Sequence, residues 1–194
     1  TCSMTDQVTI LGATGSIGRN TLDVIFRHPM RFQVWGLSAE TRVEKLAGIA
    51  LQTDAKVVSI GSGRTKEFHC ALEAQQTGIR VLEGEAGLKC LAEMPESEVV
   101  VTGIVGAAGL VPTLSAIRAG KKVLIANKEP LVMMGAEIMR EAALSGATVI
   151  PLDSEHNAVL QCLPGSFRDE PFVDPTNPST SRLEELGIEK VILT

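Results

Sequence analysis

The stretch "VIPLDSEHNAV" places Asp153 and Glu155 two residues apart, at the end of an apolar run. On extended backbone that spacing sets both carboxylates on one side of the chain. Paired hard oxygens suit Mg²⁺ or Mn²⁺ rather than Zn²⁺. Ser154 between them can contact a substrate, and His156 is better suited to orienting a neighbour than to binding the metal. Two carboxylates make an incomplete site, so a third protein ligand or a chelating substrate is required; a solvated turn is the alternative. A second stretch, "VLIANKEPLV", runs from an apolar segment into Asn127, Lys128 and Glu129. The asparagine amide can fix a nicotinamide or a ribose hydroxyl, and the lysine can meet an anionic or oxygen-rich substrate. An N-cap followed by a charged first turn accounts for the same residues without a ligand.

A third stretch, "LGATGSIGRNT", spaces Gly12, Gly15 and Gly18 as G-x-x-G-x-x-G between a short apolar run and a helical pattern. Such a loop lets backbone approach a pyrophosphate closely, and the following helix aims its unpaired amides and positive dipole end at the anion. Thr14 and Ser16 add hydroxyls, Gly15 gives clearance, and Gly18 allows close helix packing. The next strand end, "LSAETRV", should meet the adenosine ribose. Glu40 lies 22 residues after Gly18, near the position of the acid that takes a ribose 2′-hydroxyl in NAD sites. Thr41 and Arg42 follow at once, and an arginine there can hold the 2′-phosphate of NADP. Spacing leaves NAD and NADP both open, and Glu40 fits a solvated helix start equally well. In "GIVGAAGLVPT", Gly106 to Gly109 leave room beneath a flat cofactor ring or for close helix–sheet packing.

Composition removes several classes of function. The chain has no tyrosine, which excludes the Tyr-x-x-x-Lys acid catalysis of short-chain dehydrogenases. Semialdehyde-type dehydrogenases need an activated cysteine; Cys162 is the one in a polar setting, with no evident histidine partner. A net charge of −5 and an aromatic content of 3% argue against nucleic acid as a partner. No apolar run approaches the roughly 18–20 residues of a membrane span. Cys2, Cys70, Cys90 and Cys162 lack metal-site or disulfide-like spacing and read as reduced thiols. With neither a signal nor a transit pattern at the start, the expected setting is cytoplasmic.

Elements able to position these stretches alternate along the chain. Val8–Leu11, Gln33–Leu37, Lys56–Ile60, Arg80–Leu82, Glu98–Thr102, Lys122–Ala126 and Ala147–Leu152 read as strands, several being continuous Val/Ile/Leu runs suited to a sheet covered on both faces. Helical stripes lie between them: Leu22, Ile25 and Phe26; Val43, Leu46, Ala47 and Ala50; Leu110, Leu114 and Ile117; Leu131, Ile138 and Ala142. Pro112 sits near the start of the third and Gly120 suits its stop, while Glu129 and Pro130 open the fourth. Repeated β-α-β units specify an α/β fold, a doubly wound, Rossmann-like parallel sheet over residues 1–152. Leu163 to Ser181, with Pro164, Pro171, Pro175 and Pro178, reads as a connector, followed by a short helix, Ser181–Leu186, and the apolar run "EKVILT". Residues 153–194 cannot bury a core of their own and are expected to be the incomplete start of a second domain of a longer protein.

In this order, "GATGSIG", "VGAAGLVPTLSAIRAGK", "ANKEPLV" and "PLDSEHNAV" resemble the 1-deoxy-D-xylulose 5-phosphate reductoisomerases. The resemblance runs from Val8 to about Pro164 and resumes at "VILT". It implies an NADPH-dependent, Mn²⁺- or Mg²⁺-dependent enzyme of non-mevalonate isoprenoid synthesis. Such an enzyme rearranges and reduces 1-deoxy-D-xylulose 5-phosphate, a small phosphorylated sugar, to 2-C-methyl-D-erythritol 4-phosphate, and is a homodimer at full length. It further implies pyrophosphate contacts at Thr14, Gly15, Ser16 and Ile17, and cofactor contacts at Glu40, Thr41, Arg42, Asn127 and Glu129. Substrate contacts fall at Lys128, Ser154 and Glu155, metal ligation at Asp153 and Glu155, and catalytic roles at Lys128 and Glu155. The chain departs from the family at Arg42, where Asn is common, and at Pro130, where Ser is usual. A third metal carboxylate and the phosphate-binding residues belong to a family region beyond "ILT", so the expectation is NADPH binding without turnover. The competing expectations are a non-catalytic dinucleotide-sensing module and the cysteine-dependent dehydrogenase.

Overall fold

A computed structural model describes residues 5–72, 78–163 and 187. Strands β1 (Asp6–Leu11), β2 (Phe32–Ala39), β3 (Val57–Ile60), β4 (Arg80–Glu83), β5 (Val99–Thr102), β6 (Lys122–Ile125) and β7 (Thr148–Pro151) form one sheet. Its order is β4-β3-β2-β1-β5-β6-β7, and every pairing is parallel. The chain moves outward from β1 to β4 on one side, then returns to lay β5 against the other side of β1. The connections leaving β1 and β5 therefore diverge and open a crevice at the carboxyl edge. The doubly wound arrangement read from the sequence is the observed one.

Helices α1 (Ser16–Arg27), α2 (Val43–Thr53), α3 (Thr65–Ala71), α4 (Gly84–Glu93), α5 (Leu110–Arg118), α6 (Glu129–Ser145) and α7 (Ser154–Cys162) alternate with the strands, and a 3₁₀ turn at Ala107–Gly109 precedes α5. Successive strand residues point to opposite faces, so Ile10 and Leu11 enter different cores. Ile10, Leu37 and Val58 join Leu22, Leu46 and Phe68 of α1 to α3. Leu11, Val100 and Val123 join Leu91, Ile117 and Ile138 of α4 to α6. Burial of strands on both faces explains why they read as unbroken apolar runs.

The structure corrects three readings of these elements. Phe26 is 45% exposed, because the buried stripe of α1 is centred on Gly18, Leu22 and Ile25 and leaves the ring on its rim. Helices α3 and α4 were not among the stripes read from the sequence. The residues after Asp153 are helical rather than extended. The Pro-rich connector beyond Leu163, the helix at Ser181–Leu186 and the terminal apolar run lie outside the described residues, apart from Gly187.

Two further features shape the frame. Lys121, between α5 and β6, is buried, and its Nζ donates to the carbonyls of Met94 and Ser97 at 2.6 Å each. Burial pushes its ammonium pKa down, with Glu96 and Glu98 opposing that shift. Helix α6 is interrupted at Met134, where φ −144° and ψ 37° leave the helical region. Its first turn carries Val132 at 79% exposure, whereas Ile138 beyond the break is fully buried.

Candidate functional site

The crevice at the carboxyl edge is a groove of about 390 Å³ walled by the ends of β1, β2, β3 and β5 and the start of α4. Glycines shape it by close approach. Gly12 has φ +83°, and a Cβ there would stand 2.9 Å from the Gly103 carbonyl oxygen. A Cβ on Gly18 would stand 2.4 Å from the Ala13 carbonyl oxygen, so α1 rests directly on the loop that delivers it. Ser38 ties the loop to β2: its Oγ accepts from the Gly12 amide at 3.0 Å, and its carbonyl accepts from the Ala13 amide at 2.8 Å. Gly15 is the N-cap of α1 with no side-chain cap, and the first helical bond runs from the Arg19 amide to the Gly15 carbonyl. The amides of Ser16, Ile17 and Gly18 are thus the orphan donors of a helix start, placed where a phosphate would sit.

Of the proposed cofactor contacts, Thr14, Gly15, Glu40, Thr41 and Arg42 line this groove. Ser16 is exposed beside it, and the Ile17 side chain packs toward Gly103. At the end of the groove beside β2, the Thr14 carbonyl accepts from Arg42 Nη1 at 3.3 Å and from Lys45 Nζ at 3.2 Å. The Glu40 side chain lies on the β3 side, so that a Cβ on Gly61 would stand 3.0 Å from Glu40 Oε1. Val105 and Ala108 line the far wall, while Gly109 packs so closely that a Cβ would come within 2.9 Å of the Ile104 carbonyl oxygen. The turn thus packs closely at Gly109 and faces the groove at Ala108.

A second cluster stands at the ends of β6 and β7, outside the residues that line the groove. Asn127 Nδ2 donates to the Ile104 carbonyl at 2.7 Å, linking this cluster to the groove wall. Asn127 does not cap α6; Lys128 occupies that position without a side-chain cap bond, and Pro130 follows in the first turn. Asp153 is the N-cap of α7, its Oδ1 accepting from the His156 amide at 3.0 Å and meeting the ring Nδ1 at 2.6 Å. Ser154 Oγ donates to Glu155 Oε2 at 2.7 Å. The alignment of the two carboxylates along an extended strand is therefore overturned: Asp153 is extended but caps a helix, and Glu155 stands in its first turn.

Electrostatics favour ionised carboxylates here. Partial burial pushes the Asp153 carboxyl up, but the His156 amide and ring outweigh it and hold it below the usual range. The Ser154 hydroxyl lowers Glu155, which also feels the nearby Lys128 charge. Among the described residues no group of three His, Cys, Asp or Glu side chains is poised to enclose a metal ion. The hard-oxygen chemistry fits Mg²⁺ or Mn²⁺, and the donor number supplies part of a coordination shell.

A profile of the family described as 1-deoxy-D-xylulose 5-phosphate reductoisomerase matches residues 8–135. The chain belongs to that family. A relative of that name from Janthinobacterium sp. (strain Marseille) is 46% identical over 189 residues, covering 97% of this chain and 45% of its own length. The chain therefore spans slightly less than half the length of this reductoisomerase. Among solved structures, DOX-P reductoisomerase in complex with NADPH, fosmidomycin and magnesium superposes with a TM-score of 0.81 at 40% identity, over 84% of this chain and 40% of that one. The reductoisomerase from Zymomonas mobilis in complex with NADPH gives a TM-score of 0.79 at 41% identity, over 86% of this chain and 43% of that one.

Against this family background two residues gain interest that the sequence did not single out. Lys45 joins Arg42 at the Thr14 carbonyl beside the groove, a partner in another loop that no local spacing announces. Asn157 donates from Nδ2 to the Pro151 carbonyl at 2.8 Å and fixes α7 to the end of β7. Among the described residues no cysteine lines the groove, and Cys162 is exposed at the last position of α7.

Proposed function

We propose that this chain carries the cofactor-binding part of an NADPH- and divalent-metal-dependent reductoisomerase that converts 1-deoxy-D-xylulose 5-phosphate to 2-C-methyl-D-erythritol 4-phosphate. The observation that carries the reading is the adjacency of two strand-end sites. A glycine-walled groove with orphan helix amides is joined through Asn127 and Ile104 to the β6–α6 turn bearing Lys128, and the neighbouring β7–α7 turn bears Asp153, Ser154 and Glu155. In this reading Thr14 to Ile17 hold the pyrophosphate, and Glu40 to Arg42, Asn127 and Glu129 hold the rest of the dinucleotide. Lys128 and Ser154 orient the substrate.

Asp153 and Glu155 would hold Mg²⁺ or Mn²⁺, with Glu155 also facing substrate. When bound, the cation supplies Lewis acidity toward the substrate's neighbouring oxygens, and the nicotinamide supplies hydride. His156, by engaging Asp153 Oδ1, holds that carboxylate ionised and oriented.

We assign residues 1–152 to the dinucleotide unit and 153–194 to the start of the catalytic unit; α7, the first element after that division, buries none of its residues. The full-length enzyme is taken to be a cytoplasmic homodimer. Free thiols at Cys70, Cys90 and Cys162 support a reducing setting, and among the described residues no helix is long and apolar enough to cross a membrane.

Titration of this chain with NADPH, followed by Mn²⁺ in the presence of a substrate analogue, tests the reading. Saturable NADPH binding without turnover is the expected result. Absence of NADPH binding would overturn it, and turnover by this chain alone would overturn the assignment of catalysis to the longer protein. NADPH binding with no response to Mn²⁺ in a chain extended to family length would favour a dinucleotide sensor instead.

A further inference from the structure

Arg42 and Lys45 stand one turn apart at the start of α2, and both reach the same neutral atom, the Thr14 carbonyl oxygen. Neither forms a salt bridge among the described residues. Two like charges converging on a single neutral acceptor repel each other, and a doubly charged anion bound between them would relieve both. The place is the junction between the pyrophosphate loop and the carboxyl end of β2, where the adenosine ribose of a dinucleotide lies. Glu40 lines the same groove, but its carboxylate lies toward Gly61 on the β3 side and forms no salt bridge with Arg42 or Lys45.

We propose that Lys45, paired with Arg42, is a specificity-determining residue that holds the 2′-phosphate of the adenosine ribose and selects NADPH over NADH. The inference rests on the dinucleotide reading of the groove and adds to it a residue and the chemical group that residue recognises. Arg42 supplies a planar fork fixed by its place before α2, and Lys45 a compact charge at the end of a flexible stem. Together they bracket a phosphate monoester from one side of the loop.

The test measures dissociation constants of NADPH, NADH, adenosine 2′,5′-bisphosphate and 5′-AMP for the unaltered chain and for Lys45→Met, Lys45→Arg and Arg42→Gln. Lys45 is exposed, so Lys45→Met should leave the thermal midpoint unchanged. Loss of one charge-assisted bond is expected to weaken NADPH and the bisphosphate about tenfold and leave NADH and 5′-AMP within about twofold. Lys45→Arg should recover most of the loss, and Arg42→Gln should show the same selective pattern. Parallel weakening of NADPH and NADH would make Lys45 a tether for the Thr14 loop and overturn the proposal, as would no change in either. An unaltered chain that binds neither dinucleotide would defeat the groove reading itself, and this proposal with it.

Discussion

The groove and the carboxylate turn lie at the same edge of one sheet, yet they are held by different kinds of contact. Around the groove, Gly12 and Ala13 bond to Ser38, Arg42 and Lys45 reach back to Thr14, and the Gly12 and Gly103 backbones nearly touch. Those partners are far apart in the chain, so the groove exists only when the sheet is assembled. At α7, Asp153 bonds to His156 and Ser154 to Glu155, partners within three residues, and no residue of the helix is buried. One cluster is preorganised by the fold; the other is ordered mainly by its own short sequence, with little packing to hold it.

The largest effect that would break this contrast is expected at Gly18. A Cβ 2.4 Å from the Ala13 carbonyl oxygen cannot be absorbed by a side-chain movement, so Gly18→Ala should cost about 3 kcal/mol or more in urea unfolding. A loss below about 1 kcal/mol would mean that the loop is soft and the contrast false. Lys121→Met comes next. It removes the ammonium from the buried Ser97 carbonyl and from the Met94 carbonyl, which keeps the Ser97 amide, and should cost about 2 kcal/mol while leaving NADPH affinity unchanged, separating stability of the frame from shape of the groove. A parallel fall in affinity would show the two to be coupled.

Asp153→Ala is expected to be smaller and local. Loss of the cap should weaken α7 by about 1 kcal/mol, read as faster amide exchange in 154–162 with an unaltered global unfolding midpoint. A shifted midpoint would show that α7 is part of the cooperative core. The smallest effect concerns an exposed pair that is distant in sequence, and so asks whether separation or burial matters more. Thr65 donates from its amide and hydroxyl to Glu83 Oε1, and these bonds hold the Glu83 carboxyl below its ordinary value. A depressed carboxylate pKa stabilises the fold above the unfolded value, and that stabilisation is lost as pH falls through the folded one. The thermal midpoint of Thr65→Val should therefore lie slightly below that of the unaltered chain at neutral pH and converge with it in acid, below pH 4.5. A gap that is independent of pH would assign the effect to the hydroxyl alone.

The same contrast explains what could be read from the chain. Strands buried on both faces announce themselves as apolar runs, and the glycine loop follows the first of them, so the sheet and the place of the groove were legible. Helix α3 was not, because Phe68 is its only buried residue and gives no periodic stripe. Helix α4 opens on Gly84 and carries Gly87 at its contact with Leu82, which obscures its period. At Asp153 the apolar run invited an extended reading, although an aspartate followed by Ser and Glu is equally a helix start. Lys45 was invisible for a geometric reason: its partner is a carbonyl in another loop, and nothing in local spacing encodes that meeting.

The interruption of α6 at Met134 has a mechanical consequence for the lysine at its head. A continuous helix behaves as a rod, and a push on Lys128 would be felt by Ile138 and Ala142 in the core. With the backbone leaving the helical region at Met134, the segment Glu129–Met133, itself seated by buried Pro130, is mechanically separated from the remainder. Lys128 is thus mounted ahead of a joint, and a displacement at the head of α6 is not passed on rigidly to the packing that keeps the sheet together.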